Sequence, residues 1–405
     1  MGIAKRMWEE EQDRGYSSNE GKTVCSNCFG EYALKQFIEE HHTHFNCSYC
    51  EAEGEDIIAC ELDSLIDHIL TSIRYEWGHP ADEGLPYETR EGGWQVATVY
   101  DTWELLDEIG LGNQCGQIYE DICSSIHNQE WCERDPYSLS MDRTLIFGWE
   151  KFSDFVKNKA RYVFFKAKNP DYDEEQHDEM DPVRILDALE NIIKQTGLVK
   201  SVDVNTQIRR VRIIDPEENL TTAKELGSPP SESATMANRM SPAGIPMFYG
   251  AFDFDTAIKE TYEPCLESKK AICGVFEPVR SLSVIDLSDT PYLPSLFDEH
   301  ARHNRSNLSF LYDFIADFTK PIERNDRVHV DYVPTQIATE YIRHIFKTYE
   351  GSEIDGVIYP SSKNKGKKAI VIFATSEQCV DQDSSMMSDS TLRLVNVESR
   401  ELEGI

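Results

Sequence analysis

A cation, a phenol and a carboxylate follow one another in the middle of this chain. Arg239-Met-Ser-Pro-Ala-Gly-Ile-Pro-Met-Phe-Tyr249 carries the first two, and Thr-Ala-Ile-Lys-Glu260 adds the third. A guanidinium holds phosphate through its planar fork, a phenol lies against a flat ring, and a carboxylate stabilises a positive charge that develops during bond cleavage. A trio of this kind suits a dinucleotide that is consumed. Upstream, Ile208-Arg-Arg210-Val-Arg212-Ile-Ile214 alternates apolar and basic residues as a strand with one buried face does. Facing a cleft, Arg210 and Arg212 could clamp a diphosphate; on the wet face of an edge strand they would hold nothing. Taken singly, Glu260 also fits an exposed helical carboxylate, and Tyr249 a core aromatic.

Short elements must position these residues. Pro242 and Gly244 predict a tight turn after Arg239, Tyr249 falls on a strand, and Asp255 or Thr256 can cap the helix that carries Glu260. Asp331-Tyr-Val-Pro-Thr-Gln336 leads into a helix, and Asp355-Gly-Val-Ile-Tyr-Pro-Ser361-Ser362 is a strand that ends in a Pro-Ser turn. Strands are expected at 208–214, 247–251, 271–276, 282–287, 356–359 and 369–374, with an edge strand at 391–397 and helices at 256–262, 309–318 and 335–347. The region is therefore α+β.

The N-terminal half reads differently. Leu62, Leu65, Ile66, Ile69 and Ile73 share one helical face, and similar spacing recurs at 103–109 and 149–156, which predicts a small helical bundle over 59–167. Residues 168–180 are polar and read as a linker. Asp181-Pro182 then opens a helix that Gly197 closes. The C-terminal domain is expected over 181–405, with its core at about 206–376, and the first 58 residues form a separate module after a charged, frayed start.

In that module, Cys25-Ser-Asn-Cys28 and Cys47-Ser-Tyr-Cys50 are two Cys-x2-Cys knuckles. Four thiolates so spaced suit one tetrahedral ion at about 2.3 Å, and zinc in a closed, structural site is the expectation. Weaker patterns remain. Arg74 and His79 have the Arg-x4-His spacing of a metal-independent ribonuclease, but Gly78 and Pro80 flank the histidine and leave it at a helix end. Gly110-Leu-Gly-Asn-Gln-Cys115-Gly reads as a helix terminator, because a helix precedes it and Cys115 stands where a dinucleotide loop needs glycine.

The 405 residues, 40% of them hydrophobic, allow two or three domains with ordinary cores. A net charge of −33 denies the chain the broad basic face that nucleic acids require, so no such partner is expected. No apolar run reaches the roughly 18 residues of a membrane span, and Met1 to Gly15 lacks the apolar stretch of a secretory signal. Cysteines patterned for metal rather than disulfides are consistent with a cytoplasmic compartment.

From about residue 208 to 374 the chain resembles the RES domain family. The resemblance rests on Arg239 to Tyr249, Thr-Ala-Ile-Lys-Glu260 and Tyr359-Pro-Ser361-Ser362, with Leu226-Gly-Ser-Pro-Pro and Tyr332-Val-Pro-Thr-Gln336 matching longer members. The N-terminal half is similar to the segment fused to RES domains under the HEPN/RES N-terminal label. Arg239-Met-Ser departs from the Arg-Trp-Asn of many toxin-type members. The resemblance implies an ADP-ribosyltransferase-like fold and an enzyme that destroys NAD as a growth-arresting toxin or anti-phage effector. It implies Glu260 as stabiliser of the ribosyl cation, and Arg239 with Arg210 or Arg212 on the diphosphate. Tyr249 would lie on the nicotinamide and Ser361 on its ribose or carboxamide, with Gln336 and Ser362 as further contacts to NAD. Water would make it a glycohydrolase, inorganic phosphate a phosphorylase, and a protein side chain a transferase. An antitoxin, a phage trigger and a second copy of the chain are the other expected partners.

Overall fold

A computed structural model describes residues 3–50, 52, 55–111, 116–166, 180–181, 184–262, 268–320, 328–382 and 389–403. The expected linker at 168–180, Pro182 and Cys115 therefore fall largely or wholly outside the described residues. The chain divides into two compact units, Met1–Ser140 with Leu293–Ser306, and Met141–Tyr292 with Asn307–Ile405. The division falls at Ser140 rather than near 167, and it draws a segment from the C-terminal half into the first unit.

In the first unit, helix α1 (Ile3–Arg14) occupies the start that the charged sequence leaves frayed. Strand β1 (Thr23–Cys25) pairs antiparallel with β2 (Ala59–Glu61), which closes the loop that carries both cysteine knuckles. Helix α2 (Tyr32–Glu40) is capped by Glu31, whose carboxylate accepts from Leu34 N at 2.7 Å. Helix α3 (Leu62–Glu76) buries Leu62, Leu65, Ile66, Ile69 and Ile73, the stripe that its three- and four-residue spacing predicts. Helices α4 (Thr102–Glu108) and α5 (Gly116–Ser125) complete the bundle, α4 through a reciprocal capping box between Asp101 and Glu104. Val24, Leu34, Leu106, Ile122 and Phe297 join the α3 stripe in one core.

The second unit is built on a nine-stranded mixed sheet. Its strands are β3 (Val199–Val202), β4 (Ile208–Ile214), β5 (Phe248–Ala251), β6 (Lys269–Pro278), β7 (Leu282–Asp286), β8 (Gly356–Pro360), β9 (Lys368–Ile372), β10 (Cys379–Asp381) and β11 (Leu392–Leu402). They lie in the order β10-β11-β6-β4-β5-β9-β8-β7-β3. Among the described residues only the β7–β8 and β10–β11 pairings are parallel. Expected as a short edge strand, β11 is instead longer and interior, pairing with β6 from Leu392 to Leu402 and leaving β10 as the edge.

Side chains alternate across the sheet as the pleat requires. Ile285, Val357 and Val371 face a helical layer formed by α6 (Met141–Asn158), α7 (Ile185–Gln195), α10 (Arg305–Thr319) and α12 (Val333–His344), with α11 (Val328–Asp331) preceding the last. Val284, Ile358, Ile370 and Ile372 face the other way, onto Phe248, Phe276 and Leu226 of helix α8 (Ala223–Leu226). That α6 presents Trp149, Phe152 and Val156 to this core places it with the sheet. Gly197, at φ +68°, ends α7 as its sequence predicts.

Helix α9 (Phe254–Thr261) lays Ala257 and Ile258 on Val211, Ala251, Ala271 and Cys273. Its N-cap is Asp253, not Asp255 or Thr256: the Asp253 carboxylate accepts from Thr256 N and from Thr256 Oγ1, both at 2.8 Å. Capping from Asp253 starts the helix at Phe254 and carries Glu260 in its last turn.

Candidate functional site

The sheet opens between β4 and β5. Their ladder has a single pair, Ala251 opposite Arg209. Past that pair a cavity of about 530 Å³ is lined by residues 209–213 on one side and by residues 245–247, Tyr249 and Gly250 on the other. Glu260 on α9, Tyr359 at the end of β8, Asn238 and Ser241 also line it, with the hydroxyls of Ser233, Thr235 and Thr261.

Arg210 is the unusual wall residue. It is only 9% exposed, with Nη1 donating to Tyr249 O at 3.0 Å, while its buried Nε has no partner among the described residues. Its guanidinium also lies 5.4 Å from the Phe248 ring centroid. Burial, and then the Arg212 charge, pull its pKa down to about 9. Among the described residues no carboxylate offsets that cost. Arg212, also lowered by burial, gives one donor to Gly227 O at 3.3 Å.

Tyr249 turns its ring to the cavity and its hydroxyl to Ser241 Oγ at 2.9 Å. Burial pushes that phenol up to about 12. Ser241 belongs to the loop that starts at Arg239, and Gly244 there takes φ +89° in a turn closed by Ile245 N on Pro242 O at 3.2 Å. The loop is tied to the start of α12. Thr335 Oγ1 donates to Arg239 O at 2.6 Å, and Gln336 Nε2 donates to Asn238 O at 2.8 Å and Ser241 O at 3.3 Å. Gln336 thus holds the wall of the cavity and is not part of its lining.

Arg239 also stands outside the lining residues. Its Nη1 donates to Phe318 O at 2.8 Å and its guanidinium lies 5.8 Å from the Tyr332 ring centroid. Burial lowers its pKa, while Tyr332, Tyr359 and Glu260 act in the opposite sense. Ser361, 5% exposed, donates its hydroxyl to Glu260 Oε1. Ser362 is exposed and takes no part in the cavity.

The structure therefore brings Arg210, Arg212, Tyr249 and Glu260 to one cavity, adds Ser361 through Glu260, and sets Arg239, Gln336 and Ser362 beside it. Sequence reasoning gave no role to Tyr359, although its motif was noted. Its phenol is pushed up by desolvation and then by Glu260.

Residues 210–394 match the family model of the RES domain, and residues 40–170 match HEPN/RES N-terminal domain 1. The C-terminal part of the chain, residues 210–394, carries the match to the RES domain. The family is associated with NAD-related toxin and defence functions. No curated protein and no solved structure matches the chain. The RES match takes in every residue that lines the cavity from Arg210 to Tyr359, whereas the N-terminal match includes Cys47 and Cys50 but begins after Cys25 and Cys28.

Those four cysteines converge in the first unit. All four sulfurs lie within 4.8 Å of one another, with Cys25–Cys50 at 3.5 Å and both Cys25–Cys28 and Cys28–Cys47 at 3.7 Å. A tetrahedral ion at about 2.3 Å from each sulfur needs sulfurs about 3.8 Å apart, so the set could hold an ion such as zinc. Burial pushes the Cys25 and Cys28 thiols up; at Cys47 burial acts the same way but the amides of Tyr49, Cys50 and Cys25 outweigh it, bringing the thiol down to about 7. Arg74 and His79 are engaged locally. Arg74 Nη2 donates to Arg14 O at 3.1 Å, and His79 Nδ1 accepts from Ala81 N at 3.2 Å, one turn past the end of α3. Among the described residues no helix is long and apolar enough to cross a membrane.

Proposed function

We propose that the RES domain binds NAD in the cavity between β4 and β5 and breaks the bond between nicotinamide and ribose. The observation that carries this reading is Arg210, a buried guanidinium with an unpartnered Nε, in one cavity with an aromatic ring and a carboxylate. In the proposed reaction the C1′–N bond electrons leave with the pyridinium nitrogen, so nicotinamide departs neutral and needs no proton. The ribose becomes an oxocarbenium, which the Glu260 carboxylate stabilises. Water or inorganic phosphate then attacks C1′, giving ADP-ribose or its 1-phosphate. With water, a proton is released.

Arg210 and Arg212 hold the diphosphate, Tyr249 lies against the nicotinamide, and Ser361 fixes the Glu260 carboxylate. Arg239 adds positive charge behind Glu260 and anchors the loop. The fold is that of an ADP-ribosyltransferase relative, and the consequence in the cell is growth arrest through loss of NAD, in toxin or anti-phage form. Incubating the full chain with NAD, with and without phosphate, and identifying the products tests this. Free nicotinamide with ADP-ribose, or with its 1-phosphate when phosphate is present, is expected. ADP-ribose attached to protein would make the enzyme a transferase. An NAD pool that stays intact at micromolar enzyme would overturn the reading.

Zinc held by Cys25, Cys28, Cys47 and Cys50 is proposed to be structural, with no open position for substrate. Elemental analysis of the purified chain should give one zinc per chain, and Cys28→Ser should lower it severalfold and destabilise the first unit. Full zinc in Cys28→Ser would exclude the set.

A further inference from the structure

The turn between β8 and β9 carries a residue that no sequence motif marks. Asn364 N donates to Ser361 Oγ at 3.0 Å, and the turn is closed by Ser361 N on Lys367 O at 2.8 Å and Lys367 N on Asn364 O at 3.0 Å. The Asn364 side chain reaches across to α9. Its Nδ2 donates to Thr256 Oγ1 at 2.8 Å, and its Oδ1 accepts from Lys259 Nζ at 3.0 Å. The ammonium can only donate, which fixes the orientation of the amide. Thr256 is fully buried and gives its own proton to Asp253 Oδ2, so Asn364 meets a lone pair there. Thr256, Lys259 and Glu260 stand at i, i+3 and i+4, on one face of the helix.

The two halves of Asn364 therefore act on the two halves of one contact. Its backbone N–H occupies the Ser361 oxygen, and the single hydroxyl proton points to Glu260 Oε1. Its side chain holds the serine turn against the helix face from which Glu260 projects. We propose that Asn364 is a positioning residue for the cleavage reaction, fixing the Ser361–Glu260 pair in one geometry; this rests on the NAD-cleaving reading of the site. Only a side chain that donates and accepts at this size serves both Thr256 and Lys259. Aspartate keeps the Lys259 contact and loses the donor to Thr256. Alanine loses both.

Initial rates of NAD loss by the full chain test the assignment, with the melting temperature followed in parallel. Asn364→Ala should lower kcat about 10- to 100-fold while KM stays within about twofold, because a misplacement of roughly 1 Å costs rate rather than ground-state binding. Asn364→Asp, which keeps the size and the Lys259 contact, should show the same loss in kcat and carries the test if the alanine variant fails to fold. Thr256→Val combined with Asn364→Asp should be no slower than the slower single variant. Wild-type kcat in both Asn364 variants, a loss confined to KM, a fall only in proportion to the folded fraction, or additive losses in the double variant would each overturn the proposal. A wild-type chain that leaves NAD intact would remove the NAD-cleaving reading, and this one with it. An active wild type with active variants removes this one alone.

Discussion

Glu260→Ala should reduce kcat/KM for NAD by about 10³-fold or more, a loss of roughly 4 kcal/mol of transition-state stabilisation. Glu260 is the carboxylate among the residues that line the cavity, and it accepts the Ser361 hydroxyl. The positive charge of an oxocarbenium forms only as the bond breaks. A carboxylate facing it therefore acts on the transition state more than on bound NAD. KM should change little in consequence. Glu260→Gln separates charge from shape: it still accepts from Ser361 but offers no negative charge, and should be nearly as slow as alanine. Calorimetry should give both variants wild-type affinity for NAD. Near-normal turnover by Glu260→Gln would mean that the residue orients ribose hydroxyls and does not stabilise a cation. Expression of Glu260→Ala should likewise relieve growth arrest; arrest that persists would separate toxicity from NAD loss.

How far the sequence exposed this site depended on whether a residue's partners were local. Strand β4 was legible to the residue, because Ile208, Val211 and the arginines between them alternate. Helix α3 was legible for the corresponding reason at helical spacing. The α9 cap, Asp253, lies two or three residues before the expected Asp255 or Thr256, since all three are competent caps and only the turn before the helix selects among them. Strands β3 and β10 were missed. Each is short and lies at a sheet edge, where one side of the ladder is unpaired and little apolar pattern is required.

The cavity itself had no sequence signature, because it arises where two strands that neighbour each other in the sheet pair at a single position and then part. Gln336 sits in a motif whose resemblance implies a contact to NAD, and its amide donates to the carbonyls of the loop that supplies Ser241, partners the motif does not reveal. Asn364 was invisible for the opposite reason. It sits in a turn whose Lys, Asn and Gly content reads as ordinary, and its partners Thr256 and Lys259 lie on α9, more than a hundred positions away along the chain.

Arg210→Met is expected to make the empty protein more stable and the enzyme much worse. In the wild type the guanidinium is buried, its Nε lacks a partner, and burial depresses its pKa. Replacing a buried charge, which no carboxylate among the described residues offsets, with an apolar side chain of similar length removes a desolvation penalty of several kcal/mol. That outweighs the loss of one charge-assisted hydrogen bond to Tyr249 O, worth roughly 1.5–3 kcal/mol. The melting temperature should therefore rise by several degrees. The same change deletes a charge-assisted contact to the diphosphate, worth roughly 1.5–3 kcal/mol, so KM for NAD should rise about 10- to 100-fold. Arg210→Lys distinguishes charge from geometry: a point charge cannot reproduce the fork, and KM should lie between the two. The two measurements pull in opposite directions only if Arg210 is kept for a ligand. A variant with lower melting temperature and unchanged KM would make Arg210 a structural cation whose hydrogen bond to the β5 backbone outweighs its desolvation, and would move the diphosphate elsewhere in the cavity.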